Sequence, residues 1–151
     1  MSYSQGEALI LTQIQATANF DSNNTSQKNW KILNRGKARS YCILRAGAFS
    51  VAFFGMGGAR ETTYNTIAEV WTRYKDETST NAALEARVEE IRARIDAYRL
   101  LQDSTSKVRD AVVRSGGEPL EMWTRGGNGP SWLKQELIIE WIEEEAIALQ
   151  E

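Results

Sequence analysis

Apolar residues recur along the chain with two different periods, which separate predicted helices from predicted strands. Spacing of three and four residues predicts a helix over residues 5–18 and a long amphipathic helix over residues 81–102. Asn81 is placed to cap the second helix, and Glu90 with Arg94 is placed to form an ion pair on its polar face. The pattern is too short for a secure coiled coil, so we expect this helix to lie across a sheet.

Alternating apolar residues predict a β-hairpin in the middle of the chain. Residues 41–54 are apolar or small on both faces, which is typical of a central strand, and Gly47 marks a bend or bulge. One predicted face carries Tyr41, Ile43, Phe49, Val51 and Phe53. Residues 61–75 alternate more cleanly, and the glycine-rich segment 55–58 joins the two runs. We therefore expect an antiparallel hairpin with a flexible tip.

The remaining segments are less distinct. Residues 21–27 form a predicted polar loop, and residues 30–33 a predicted short edge element followed by a turn at 34–36. Residues 107–114 fit a strand or a short helix, whereas the β-branched and aromatic content of 132–149 favours a long strand. Together these elements predict a single α+β domain over 1–151. Its mainly antiparallel sheet of four to five strands is packed by the N-terminal helix and the long helix.

Composition argues against most enzymes. The 151 residues include no histidine and one cysteine, Cys42, which excludes Ser-His-Asp and Cys-His catalysis, His-ligated zinc and an intramolecular disulfide. Cys42 itself is expected to be a small buried core residue. The segment 55–60 lacks the third glycine of a dinucleotide-binding loop and the Gly-Lys-Ser/Thr ending of a P-loop. We expect no catalytic residue, no cofactor and no bound metal.

The chain also lacks the features of a membrane or secreted protein. No apolar run approaches about 20 residues, so we expect no transmembrane helix and no membrane partner. The first residues have neither a basic segment nor a small-residue cleavage site, so no secretory signal is expected.

Charge is segregated along the sequence although the net charge is only −2. Seven basic residues and no acidic one lie between Lys28 and Arg60, and six acidic residues and no basic one lie between Glu136 and Glu151. These segments are interpreted as two solvated surfaces, or as the two sides of a head-to-tail contact between subunits that salt weakens. A third interpretation is nucleic-acid binding through the basic segment, with Trp30 and Tyr41 interleaved.

The order of elements resembles the tail terminator proteins of long-tailed, siphovirus-like bacteriophages. The resemblance covers most of the chain from Ser40 onward. It is carried by the strand 40–54, the strand 61–75 ending in Val-Trp-Thr-Arg, the helix 81–102, the run 108–119 and the final strand beginning at Trp132.

The resemblance implies a structural role in the virion. Tail terminators form a hexameric ring of similar α+β subunits on the last ring of the tail tube, where they stop tube growth and dock to the head connector. The implied partners are therefore copies of this chain, the tail tube protein and a connector or stopper protein. DNA passes through the lumen without sequence-specific binding. The protein is then made in the host bacterial cytoplasm and resides in the neck of the virion.

The family has no catalytic motif to transfer, so candidate interface residues come from composition alone. They are Lys37, Arg39, Arg45, Phe54, Met56, Arg60, Trp123, Arg125, Glu140, Glu143, Glu144 and Glu145. The run Glu143–Glu145 is expected to be solvated, because consecutive residues on one element do not converge on one point. Alternative functions are another head–tail adaptor or head-completion protein, an unrelated homodimeric α+β binding module, and an enzyme that uses carboxylates, tyrosine or lysine.

Overall fold

The computed structural model describes residues 2–54, 58–123 and 129–146. The elements are α1 (Tyr3–Gln15), β1 (Thr25–Gln27), α2 (Ile32–Arg35), β2 (Ser40–Phe54), β3 (Ala59–Arg73), α3 (Glu77–Ala97), β4 (Val108–Gly116), β5 (Leu120–Trp123) and β6 (Pro130–Ala146). The mixed α+β class predicted from the sequence is confirmed.

The strands form one six-stranded sheet in the order β1-β2-β3-β6-β4, with β5 paired to β6 alongside β4. The predicted β2–β3 hairpin is present, and the long final strand β6 pairs with β3 from Arg73↔Trp132 to Ala59↔Ala146. All described pairings are antiparallel except that between β1 and β2. The sheet therefore has one strand more than the upper end of the predicted range.

Several short elements differ from the sequence predictions. β1 lies inside the predicted loop 21–27, because Thr25–Gln27 pair with Cys42–Leu44 of β2. The predicted edge element at 30–33 is instead the one-turn helix α2. The ambiguous segment 107–114 is the strand β4, and Leu120–Trp123 form the strand β5, which the sequence pattern did not predict. Each of these short segments takes its structure from a neighbouring strand or from packing rather than from its own periodicity.

A β-bulge changes the face on which the second half of β2 displays its side chains. The register shifts between Ala46↔Thr66 and Phe49↔Tyr64, so that Gly47 and Ala48 lie opposite one residue of β3. The bulge predicted at Gly47 is confirmed, but the predicted common face of Tyr41, Ile43, Phe49, Val51 and Phe53 is wrong. Beyond the bulge, Phe49 shares the face of Tyr64, whereas Tyr41 lies on the opposite side of the sheet.

The helix termini are set by capping and by backbone conformation. Ser2 and Gln5 form a capping box at the start of α1. The carboxylate of Asp76 accepts a hydrogen bond from the Ser79 amide, so α3 begins four residues before the predicted cap Asn81. The helix ends at Ala97, because the backbone of the C-cap residue Tyr98 leaves the helical region, with φ −129° and ψ 56°.

The predicted ion pair between Glu90 and Arg94 does not form. Glu90 instead contacts Arg87 at 3.1 Å and accepts hydrogen bonds from the backbone and side chain of Asn19. The Arg94 guanidinium donates to the side chain of Gln13 at 3.0 Å. Both charged groups therefore tie α3 to the segment containing α1 rather than to each other.

Two groups of buried side chains lie on opposite faces of the sheet. The larger one joins Ile10 and Ile14 of α1 and Leu84, Ile91 and Ile95 of α3 to strand residues such as Trp141, as well as Cys42, which is buried as predicted. The smaller one consists of Leu33, Tyr41, Ile43, Trp71 and Trp132. Ile32, Ala38 and Met122 pack against the smaller group. It therefore forms a second packed layer on the sheet face opposite α1 and α3.

Candidate interaction surface

The predicted interface residues are distributed over both faces of the sheet. Met56, Arg125 and the side chain of Phe54 lie outside what the structure describes. Lys37 is exposed in the loop before β2, and Trp123 is 59% exposed at the end of β5. Arg39 is half-buried and donates a hydrogen bond to Ser79 at the start of α3. The remaining six are charged residues in β2, β3 and β6, where strand pairing determines their contacts.

The basic and acidic segments of the sequence meet within a single protomer. Arg45 on β2 contacts Glu69 on β3 at 2.7 Å and reaches Glu136 on β6 at 2.9 Å. Arg60 is the cross-strand neighbour of Glu145 and contacts it at 3.1 Å. Because β2, β3 and β6 are adjacent, these opposite charges neutralise each other inside the sheet. Charge segregation along the sequence therefore does not by itself require a second subunit.

Two more acidic residues of β6 have basic partners on β4. Glu140 contacts Arg114 at 3.1 Å, and Glu144 forms an ion pair with Arg109. The side chains of Arg109 and Arg114 are more than half exposed, so these are surface pairs that contribute little to stability. They nevertheless leave the acidic strand without a large uncompensated negative surface.

Glu143 is buried, and its predicted place in a solvated acidic run is wrong. Alternation along β6 places the Glu143 side chain on the sheet face covered by α1 and α3, which we call the helix-bearing face, and there it is only 2% exposed. Glu144 points to the opposite face. Burial, together with the neighbouring carboxyl of Glu145, raises the pKa of Glu143. Glu145 behaves in the opposite way, because its hydrogen bond with Arg60 lowers its pKa. The two carboxyls differ because Glu145 is paired with Arg60, whereas Glu143 is buried.

Glu69 organises a charged cluster that the sequence analysis did not identify. Its side chain is 3% exposed, and its carboxylate accepts hydrogen bonds from the indole N–H of Trp30 at 2.9 Å, from that of Trp71 at 3.1 Å and from Arg45. Lys134 lies 3.6 Å away. The sequence did show that Glu69 lies two residues before Trp71, and therefore on the same face of the strand. Alternation along one strand, however, does not show which cations on other strands surround Glu69.

The same contacts weaken the nucleic-acid interpretation. Trp30 uses its indole N–H internally, and Tyr41 is fully buried beneath Trp132 and its neighbours. A base cannot stack on a buried ring. Of the two interleaved aromatic rings, only that of Trp30, which is 41% exposed, is therefore accessible for stacking.

The most exposed apolar surface on the described strands is the outer edge of β2 beyond its pairing with β1. We call residues Ala46–Phe54 the open edge of β2, because β1 pairs only with Cys42–Leu44. Phe49 is 67% exposed, Val51 42% and Phe53 71%. No charged residue occurs from Ala46 to Ala59, in a chain that is 25% charged. Of the residues on this edge, Phe54 is the one that the sequence analysis placed among the interface candidates.

The open edge is anchored to the core by a row of aromatic rings. Phe49 lies 6.2 Å from Tyr64, which stacks on Trp141 at 4.4 Å, and Trp141 lies 6.0 Å from Tyr3 of α1.

Natural proteins protect exposed strand edges with lysine, proline or a covering element. The open edge of β2 has neither lysine nor proline, and among the described residues no element covers it. It is therefore the best candidate for a protein-binding surface.

Two further properties concern the described residues only. No helix among them has both the length and the apolar character needed to span a bilayer. Within the same part of the chain, no cluster of three or more metal-ligating side chains is placed to hold an ion.

Comparison of the chain with models of known protein families and with curated proteins finds no match.

Proposed function

We propose that this protein is a structural subunit that assembles with its own copies into a ring at the head-proximal end of a bacteriophage tail tube. The observation that carries the proposal is the uncharged, exposed open edge of β2. The second support is the resemblance of its element order, from β2 to β6, to that of tail terminators. In this role the ring ends tube polymerisation and joins the tail to the head connector.

Covering the exposed phenyl rings of Phe49 and Phe53 would stabilise an assembly. Full burial of such a side chain stabilises a protein by about 1.5–3 kcal/mol, so covering rings that are about two-thirds exposed contributes roughly 1–2 kcal/mol each. A strand edge adds backbone hydrogen bonds to this apolar contact. In a ring every subunit makes the contact twice, once through each of its two surfaces. The open edge of β2 therefore favours self-assembly over a function as an isolated monomer.

The proposed partners follow from the resemblance. The family docks one surface of its hexameric ring to the tail tube and another to a connector or stopper protein, with DNA passing through the lumen. The exposed Trp123 of β5 is a candidate for one of these contacts, because tryptophan is enriched at binding hot spots. The α+β fold, in which two helices contribute to the core of one sheet face, fits this proposal.

The location of the ion pairs changes one expectation about assembly. Arg45 and Arg60 are engaged inside the protomer, so the contact between subunits is expected to depend mainly on apolar burial. Raising the salt concentration from 50 to about 500 mM should then leave assembly largely unchanged, in contrast to a charge-mediated contact. Native mass spectrometry and light scattering across this range measure the effect.

Electron microscopy of tails assembled with and without the protein tests the function directly. Tubes of uncontrolled length in its absence, and defined tubes ending in an additional ring in its presence, are the expected results. Binding to portal protein rather than tube protein in separate pull-downs would support the adaptor alternative. A tight dimer in every condition, including with tube protein present, would contradict the proposal and support the homodimeric module.

A further inference from the structure

The sheet is open on both sides, not only along β2. One edge of β4 pairs with β6, and no described strand pairs with the opposite edge of β4. β1 covers part of the β2 side, at Cys42–Leu44, and β5 covers part of β6 near Leu133. Among the described residues, the two long unpaired strand edges are therefore those of β2 beyond β1 and of β4, while the short strands β1 and β5 each have one unpaired edge as well.

The two unpaired edges lie at the same level of the sheet. Three rows of paired residues cross β2, β3, β6 and β4 in turn: Val51–Thr62–Glu143–Val108, Phe49–Tyr64–Trp141–Ala111 and Ala46–Thr66–Ile139–Val113. The open edge of β2 and the strand β4 therefore face outward from opposite ends of the same rows. Both segments are nine residues long, Ala46–Phe54 and Val108–Gly116.

Strand direction permits these two edges to pair with each other in different copies. The four strands β2, β3, β6 and β4 are successively antiparallel, so β2 and β4 run in opposite directions. When a second copy is placed beside the first in the same orientation, its β2 lies antiparallel to the first copy's β4. An antiparallel pairing can therefore continue from one sheet into the next.

The backbone of β2 presents its hydrogen-bonding groups outward at the exposed residues. The Cys42 N–H donates to Asn24 and the Leu44 carbonyl accepts from Lys28, so alternate residues face the outer edge. Because the bulge adds one residue, Phe49 has the same orientation relative to β3 as Leu44. Val51, two residues later, has this orientation too. The amide and carbonyl groups of Phe49 and Val51 are thus directed toward any added strand.

We propose that the open edge of β2 pairs with β4 of a second copy of this chain, which joins the sheets head to tail. This inference rests on the proposed ring, because only a contact between two different surfaces of the subunit generates a ring; pairing of β2 with β2 would give a closed dimer. The absence of charge along the open edge avoids burying an unpaired ion beside the Arg109–Glu144 and Arg114–Glu140 pairs of β4.

One exposed apolar side chain lies next in sequence to a residue that contacts β4. Leu100 is 59% exposed and adjoins Arg99, whose guanidinium contacts Asp110 of β4 at 2.6 Å. The exposed parts of Phe49 and Phe53 amount to roughly 200–350 Å², against about 800 Å² per partner in a standard stable interface. The remaining area is supplied by the paired strands and by the small exposed residues between the two rings.

Photochemical cross-linking locates the contact. Phe49 is replaced by the photoreactive analogue p-benzoylphenylalanine in the full chain, and the assembled protein is irradiated, digested and analysed by mass spectrometry. Cross-links between chains that fall within 108–116 are expected. Cross-links into residues 40–54 of the other copy, or into neither strand, would overturn the proposal.

A charge placed on the open edge tests its energetic contribution. Val51→Lys adds the residue that natural edges use to prevent pairing, and it is expected to weaken association by about 30-fold or more. Leu120→Lys is the matched control, because Leu120 is 55% exposed in β5, away from the paired rows. Circular dichroism and thermal unfolding show that both variants fold. Equal association of the two variants would contradict the proposal.

The two proposals fail in distinguishable ways. A ring that caps tail tubes but cross-links elsewhere would refute the strand pairing and leave the proposed function intact. Head-to-tail cross-links in an assembly that does not affect tube length would support the pairing and refute the phage function. A chain that stays monomeric at high concentration and with tube protein would refute both.

Discussion

Replacing Glu69 by glutamine tests the buried charged cluster that joins β2, β3 and β6. The Glu69 carboxylate accepts from two indole N–H groups and from Arg45, and Lys134 lies nearby. Glutamine preserves the shape of the side chain but removes its charge. Its amide nitrogen would also face at least one hydrogen-bond donor, because every described partner of Glu69 is a donor.

The expected loss of stability follows from the burial of the Glu69 carboxylate, whose side chain is 3% exposed. Removing one member of a buried ion pair costs about 3–5 kcal/mol. Here Arg45 is 33% exposed and keeps Glu136 at 2.9 Å, which compensates part of the loss. We therefore expect Glu69→Gln to lower the free energy of unfolding by about 2–3 kcal/mol. In a chain of this size, that corresponds to a decrease in Tm of roughly 4–12 °C.

Urea unfolding followed by tryptophan fluorescence measures the effect, because Trp30 and Trp71 report on the cluster directly. Glu136→Gln is the control, since the Glu136 side chain is 35% exposed and its loss should cost about 1 kcal/mol or less. If Glu69→Gln unfolds within about 0.5 kcal/mol of the unsubstituted protein, or no more easily than the control, the reasoning is refuted. The cluster would then be held by packing rather than by charge.

Three further predictions concern buried groups on the helix-bearing face. Because burial raises the pKa of Glu143, the folded state binds this proton more tightly than the unfolded chain, and stability falls as pH rises from about 4.5 through the raised pKa. Glu143→Gln should therefore be the more stable protein at pH 7 and lack this fall; parallel stability–pH curves would contradict it. Gly6→Ala should destabilise by about 1–3 kcal/mol, because the added Cβ would overlap the ring of Trp141; an unchanged Tm would exclude that overlap. Burial raises the pKa of the Cys42 thiol to about 12, so a thiol reagent at pH 8 should modify it only on unfolding, and rapid modification of the folded protein would contradict its buried position.

Periodicity alone identified the larger elements. The alternation in 41–54 and 61–75 and the glycines between them predicted the β2–β3 hairpin, and the β-branched content of 132–149 predicted the strand now seen as β6. The three- and four-residue spacing predicted both long helices, with errors of a few residues at their ends. These elements bury one continuous apolar stripe or face, so a local pattern is sufficient to identify them.

The interaction surface could not be predicted in the same way. Alternation assigns side chains to faces by counting residues in twos, but the bulge at Gly47 adds one residue and moves Phe49 to the other face. On the outer side of the predicted central strand, no described residue pairs with β2 beyond Leu44. The sequence contained the apolar residues of the open edge, but strand order decided that they would be exposed rather than buried.

The charges show the same division between sequence and tertiary structure. The amino-acid sequence shows that basic residues are concentrated before Arg60 and acidic ones after Glu136, and that histidine chemistry is absent. The fold is needed to show that Arg45 and Arg60 pair with acidic residues of the same chain and that Glu143 is buried beside Glu145. The physical reason is that electrostatic energy depends on distance and burial, and both are set by which strands become neighbours in the sheet.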